Sequence, residues 1–158
     1  MIKAIFSGLA LIVLALLIYA ATKPDTFRVE RSAHIETPAE KIFPLIADFH
    51  QWEKWSPWEK ADPRLKRSYS GNESGIGAIY RWDGNKDVGQ GQMEIVESTA
   101  PGKLRIKIDF ISPFEGHNTV EFTLAPDGSG TRVSHAMFGP SPYISKLMGI
   151  FFSMDKMI

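Results

Sequence analysis

The sequence predicts an α+β domain: a curved antiparallel sheet of seven strands wrapped around a long C-terminal helix, with an apolar helix ahead of it. Three observations carry this. Period-two alternation fills most of the chain after residue 64, in segments separated by turn residues. Two helical stretches interrupt the first strand and the rest, and one closes the chain. A 19-residue run near the start, residues 4–22, carries no charge.

That run would rise roughly 28 Å as a helix, close to the thickness of a bilayer's hydrocarbon core. Lys3 and Lys23 bracket it, and Tyr19 sits where an interfacial aromatic belongs. Residues 1–23 are therefore expected to be a transmembrane anchor. A cleaved signal peptide is the competing reading, but a cut after Ala21 would place bulky Tyr19 three residues back, which fits poorly. The N terminus and Lys3 lie on one side; Lys23, Arg28 and Arg31 lie on the other, diluted by Asp25 and Glu30. This balance is read as N terminus inside, with residues 24–158 on the outer, periplasmic or extracellular side of the cytoplasmic membrane.

The 158 residues suffice for one domain with a core. Eighteen Lys plus Arg balance eighteen Asp plus Glu, so no basic face is available for nucleic acid. The absence of cysteine excludes disulfide and thiol chemistry. Ten Phe and four Trp favour a β-rich fold with a wide interior.

Phe27, Val29, Arg31, Ala33 and Ile35 share one side of the first strand. Thr37-Pro38-Ala39-Glu40 reads as a capped helix start, with Thr37 as cap. Ile42, Phe43, Ile46 and Phe49 form the apolar stripe of that helix, and Pro44 should kink it. Residues 49–58 hold Trp52, Trp55 and Trp58, three residues apart. They are either core packing or the lid of an apolar cavity. Ala78, Tyr80 and Trp82 point one way; Leu104, Ile106, Ile108 and Phe110 alternate with charged residues; Val120, Phe122 and Leu124 follow, then Val133, His135 and Met137. Ser141 caps the expected final helix, whose apolar face runs through Ile144, Leu147, Met148, Phe151, Phe152 and Met154. It stops abruptly at Ile158, as a truncated helix would.

Chemistry-bearing motifs are few. None of His34, His50, His117 and His135 pairs at metal-ligand spacing, so no metal or cofactor is expected. Asp83-x-Asn85-x-Asp87 with Glu94 resembles a calcium loop, but Val88 stands where the turn needs glycine, and a hairpin turn is expected instead. Asn72-Glu73-Ser74 matches a glycosylation sequon. His135 faces inward between Val133 and Met137. It is either a satisfied core histidine or a group that bonds a ligand carbonyl or acts as a base.

Thr37-Pro38-Ala39-Glu40-Lys41-Ile42-Phe43, the Trp-x-x-Trp-Ser-Pro-Trp segment, Tyr80-Arg81-Trp82-Asp83-Gly84-Asn85 running on to Met93, and Asn118-Thr119-Val120-Glu121-Phe122 with Gly130-Thr131-Arg132-Val133 together resemble the polyketide cyclase/dehydrase branch of the START-like (SRPBCC, Bet v 1-like) superfamily. The resemblance spans roughly residues 27–158. It implies a helix-grip fold, with seven antiparallel strands and the C-terminal helix enclosing a hydrophobic cavity. Relatives of this kind bind lipids, sterols, quinones, polyketides or plant metabolites, and a few transform them. The expected function is membrane-tethered binding of a hydrophobic small molecule or lipid, lined by Trp52, Trp55, Trp58, Tyr80, Trp82, Ile108, Phe122, His135, Met137, Leu147 and Met148. The alternative is a cyclase or hydratase with His135 as base and Tyr80 as donor to a carbonyl oxygen. A third reading is an envelope scaffold with a filled interior.

Overall fold

The computed structural model describes residues 2–150. The chain forms α1 (Ile2–Ala21), β1 (Thr26–Ile35), α2 (Ala39–Ala47), a 3-10 helix (Phe49–Lys54) and α3 (Trp58–Ala61). Six further strands follow: β2 (Lys66–Gly71), β3 (Ala78–Asp83), β4 (Gln90–Thr99), β5 (Lys103–Ser112), β6 (Gly116–Asp127) and β7 (Gly130–Pro140), then α4 (Tyr143–Met148). The strands make one antiparallel sheet in the order β1-β7-β6-β5-β4-β3-β2. It is a meander from β2 to β7, closed by β1 pairing on β7 with Thr26 opposite Pro140 and Ile35 opposite Thr131. Register shifts in β4, at Gln90/Gly91 and Ile95/Glu97, add the local twist that lets such a sheet curl.

Alternation decides which face is inner. Ile95, Leu104 and Ile106 are wholly buried, and Val120, Phe122 and Leu124 continue the row on β6. Against them lie Ile42, Phe43, Ile46 and Ala47 of α2 and Phe49 and Trp52 of the 3-10 helix. α2 rests on β6 and the 3-10 helix on β3. The opposite face carries charges paired across strands, with Arg105 bonded to Glu121 at 2.7 Å and to Glu97 at 3.0 Å. Gly91 is needed where it stands: a Cβ there would strike the Trp82 ring and lie 2.6 Å from the Asp109 carbonyl oxygen.

Several local expectations are corrected. Thr37 does not cap α2. The helix begins at Ala39 without a side-chain cap, and the Thr37 carbonyl instead accepts the buried Thr131 hydroxyl at 2.7 Å. α2 runs through Pro44 to Ala47. Ser141 does not cap α4 either; its N–H bonds the Asp25 carbonyl at 2.6 Å. The last helix is short over the described residues and packs against α1 rather than gripping the sheet. Lys146, on the side of the helix away from the expected apolar face, is its buried residue, with the ammonium 2.5 Å from Asp25 Oδ1, while Ile144 and Met148 of that face are exposed. Phe151, Phe152 and Met154 lie outside the described residues.

The N-terminal run is helical as expected, but among the described residues no helix is long and apolar enough to cross a membrane. Residues 6–21, the part of α1 whose side chains are described, rise roughly 24 Å, against a hydrocarbon core of about 30 Å. Their large apolar side chains are exposed all round the helix, from Phe6 and Leu9 to Ile18 and Tyr19.

Candidate ligand-binding face

Trp52 and Trp55 are placed by the end of α2. A helix leaves its last carbonyls without partners. Here the Trp52 indole N–H donates to the Ile46 carbonyl at 3.0 Å, the Trp55 indole N–H to the Leu45 carbonyl at 2.9 Å, and the Gly75 N–H to the Ala47 carbonyl at 2.9 Å. The tryptophans therefore terminate α2 as well as lining the interior. They do not form one wall. Trp52 is buried, Trp55 is 38 % exposed, and Trp58, beyond the break at Pro57, is 51 % exposed.

From Tyr80 the rings run inward in sequence: Phe49 at 5.8 Å, then Trp52 at 5.3 Å, Phe122 at 6.3 Å and the His135 imidazole stacked on Phe122 at 4.5 Å and 10°. This row fills the space between Tyr80 and His135. The two residues also stand on β3 and β7, four strand spacings apart, roughly 19 Å along the sheet. They do not converge on one carbonyl, which corrects the base-and-donor arrangement expected above. Tyr80 is moreover already committed: its hydroxyl donates to Glu59 Oε1 at 2.6 Å. Burial first, and that bond second, push its pKa far above the ordinary phenol range.

Glu59 is the residue sequence reasoning missed. Its side chain is buried, with Oε2 2.6 Å from Arg67 Nε. Glu53 meets the same guanidinium at 3.2 Å from outside. This Tyr80–Glu59–Arg67 cluster pins α3 to β2 and β3. Asp62 adds a second pin: its carboxylate accepts the N–H groups of Arg64 at 2.9 Å and Asn85 at 2.7 Å, which hold its pKa below the usual range. Asn85 Oδ1 in turn accepts the Asp87 and Val88 N–H groups. The Asp83-x-Asn85-x-Asp87 run thus builds a hairpin turn, and among the described residues no group of three or more His, Asp or Glu is arranged to hold a metal ion.

The inner face is covered unevenly. Trp82 and Ile108 are buried under the aromatic row, with Trp82 edge-on to Phe110 at 5.9 Å. Toward β7 and β1 the cover thins. Met137 is buried and Val133 and His135 are half-buried, while Arg31, paired opposite His135, and Ala33, opposite Val133, are exposed. Burial holds the His135 imidazole below its ordinary pKa, so it stays neutral near pH 7. A neutral imidazole has one donor and one acceptor nitrogen. Leu147 is half-buried and Met148 exposed on α4, beside α1 rather than beside the tryptophans. The structure thus brings together Trp52, Trp55, Phe122, His135 and Met137, sets Tyr80, Trp82 and Ile108 in the packed part of the core, and leaves Trp58, Leu147 and Met148 apart.

Residues 26–150 match the family model described as polyketide cyclase / dehydrase and lipid transport. No curated protein matches the chain. Among solved structures, the chain is similar to protein Ms6760 from Mycobacterium smegmatis (19% identity, TM-score 0.56, covering 82% of each chain). It is also similar to a protein from Arthrobacter aurescens (17% identity, TM-score 0.57, covering 84% of this chain and 78% of that one), and to Ara h 8.0201 (14% identity, TM-score 0.55, covering 80% and 92%). At these identities the likenesses show the fold.

Proposed function

The chain belongs to the polyketide cyclase / dehydrase and lipid transport family, and from that premise we propose that it binds a hydrophobic small molecule or lipid at the β6–β7–β1 end of its inner face, held beside a bilayer by α1. The observation that carries this is His135: a neutral imidazole, stacked on Phe122, with Trp55 also against Phe122 at 6.3 Å and the flanking β1 positions uncovered. Apolar rings supply burial at roughly 25 cal/mol per Å² of contact, and the imidazole supplies one directional bond to a ligand hydroxyl or carbonyl. Trp52, Trp55, Phe122, His135 and Met137 form the core of this site. Tyr80, Trp82 and Ile108 support it from behind.

The tether rests on α1. A helix apolar on all sides has no aqueous role as an isolated rod, and lipid is the solvent that suits it. The Lys23 ammonium over the Tyr19 ring, at 4.8 Å, marks the interfacial end. The charge balance about the run favours the domain on the outer side of the cytoplasmic membrane.

Native mass spectrometry of the full chain, released from membranes with a mild detergent, tests the binding. A bound species of lipid-like mass that diminishes in a His135→Ala variant is expected. An empty protein that also takes up nothing from a panel of fatty acids, phospholipids, sterols and quinones would overturn the proposal.

A further inference from the structure

The strand register places three features at one end of the sheet. β1 begins there, with Thr26 opposite Pro140 of β7, so α1 departs from that end. β6 starts there too, because Thr119 pairs with Phe138 and Gly116 with Phe110. The end of β5 and the β5–β6 turn, residues 113–115, are therefore on the side from which α1 leaves. Ile111, next to the last residue of β5, is 62 % exposed, and Phe114, in the turn, is 71 % exposed, more than any other large apolar side chain among the described residues. The β2–β3 and β6–β7 turns lie at the opposite end of the sheet.

The angle between α1 and the sheet is fixed by bonds. Asp25 accepts the Ser141 N–H at 2.6 Å and pairs with Lys146 at 2.5 Å, and the Tyr143 hydroxyl donates to the Leu17 carbonyl at 2.8 Å. α4 thereby braces the last turns of α1 against the start of β1. The tip's height relative to α1 is set by this brace and does not drift with a flexible linker. Beside it a crevice of about 200 Å³ is lined by Lys23, Phe27, Ser141, Ser145 and Lys146. With the Lys146 ammonium taken by Asp25, the Lys23 ammonium and two hydroxyls there suit a phosphate at headgroup level.

We infer that the α1-proximal end of the sheet is a membrane-docking face, in which Ile111 and Phe114 insert among the lipids of the bilayer that holds α1 while Lys23 meets their phosphates. The occupant is a phospholipid surface. Two exposed apolar side chains bind such a surface weakly on their own. α1 makes the encounter intramolecular, and the effective concentration does the rest. This rests on the tether proposed above and adds an orientation: the sheet stands with its β5–β6 tip on the bilayer.

The chain has no cysteine, so single labels report position directly. Phe114→Cys and Ser74→Cys, the latter in the β2–β3 turn at the far end, are each labelled with bimane. The full chain is reconstituted into phosphatidylcholine vesicles containing phosphatidylglycerol and nitroxide-bearing lipid. Both sites are in exposed turns, and circular dichroism checks that each variant keeps its strands. Flotation with the vesicles and several-fold stronger quenching at 114 than at 74 is the expected result. Flotation with equal quenching at the two sites would overturn the docking face and leave the tether standing. Failure to float would overturn the tether and the docking face with it.

Discussion

The Tyr80 hydroxyl donates to Glu59 at 2.6 Å across the gap between β3 and α3. That bond turns a residue expected to face a ligand into a structural clamp. It also satisfies one oxygen of a buried carboxylate whose other oxygen is held by Arg67 at 2.6 Å. Removing any one partner leaves a buried polar group short of a bond.

Tyr80→Phe is accordingly expected to destabilise the domain by about 1–3 kcal/mol, the usual cost of an unsatisfied buried partner. Glu59→Leu should cost more, since it strands both the Tyr80 hydroxyl and the Arg67 guanidinium. Ligand affinity should stay unchanged in Tyr80→Phe. Urea denaturation with a parallel binding measurement checks both. Loss of binding without loss of stability would return Tyr80 to the site.

Trp52 and Trp55 share a role at the end of α2 and differ in burial. Trp52→Ala removes a ring packed between Phe49 and Phe122, and about 3–5 kcal/mol should be lost. Trp55→Phe removes only the bond to the Leu45 carbonyl from a partly exposed ring, so about 1 kcal/mol is expected. Thermal melts of the two variants should separate clearly. Equal losses would mean that the carbonyl bonds, not the packing, carry the energy.

Gly91→Ala drives a methyl into the Trp82 ring and the Asp109 carbonyl. Overpacking of this kind costs about 1–3 kcal/mol. A blue or red shift of tryptophan emission should accompany it, because Trp82 must move. A stable variant with unaltered emission would show that the β4 backbone gives way instead.

His135 links stability to pH with a definite sign. Burial depresses its pKa in the fold below the ordinary 6.5, so the folded state binds fewer protons than the unfolded one. Its contribution is complete above pH 6.5 and is lost as the pH falls from 6.5 through the folded value. His34 and His117 act oppositely. Bonds to Asp127 and Glu36, and to Asp109, raise their pKa values, so their contributions are complete below 6.5 and are lost as pH rises through the folded values. The comparison of wild type with His135→Asn between pH 7.5 and 5.5 isolates the one histidine: wild type should lose stability relative to the variant as the pH falls. An identical pH dependence would mean that the imidazole is solvated in the fold.

The sheet was legible because each strand announces its buried face locally. Leu104, Ile106 and Ile108 alternate with Lys103, Arg105 and Lys107, and the first three are buried. What depended on long-range closure was not legible. Glu59 gives no local sign of burial; its partners lie eight and twenty-one residues on. The indole directions of Trp52 and Trp55 follow from the free carbonyls of α2, six and ten residues back. Lys146, opposite the stripe read as the gripping face of the last helix, finds Asp25 more than a hundred residues earlier, so α4 buries that side against α1 and leaves Ile144 and Met148 exposed.

The proposed function requires an apolar ligand to lie against Trp55, Phe122 and His135. A titration followed by the Trp indole and His imidazole NMR signals of the full chain in nanodiscs addresses it most directly, with lipids and quinones added one at a time. Saturable shifts at Trp55 and His135, with the Trp58 signal unmoved, are predicted for at least one ligand. No saturable shift at either residue with any ligand, or shifts confined to Trp58, would contradict it.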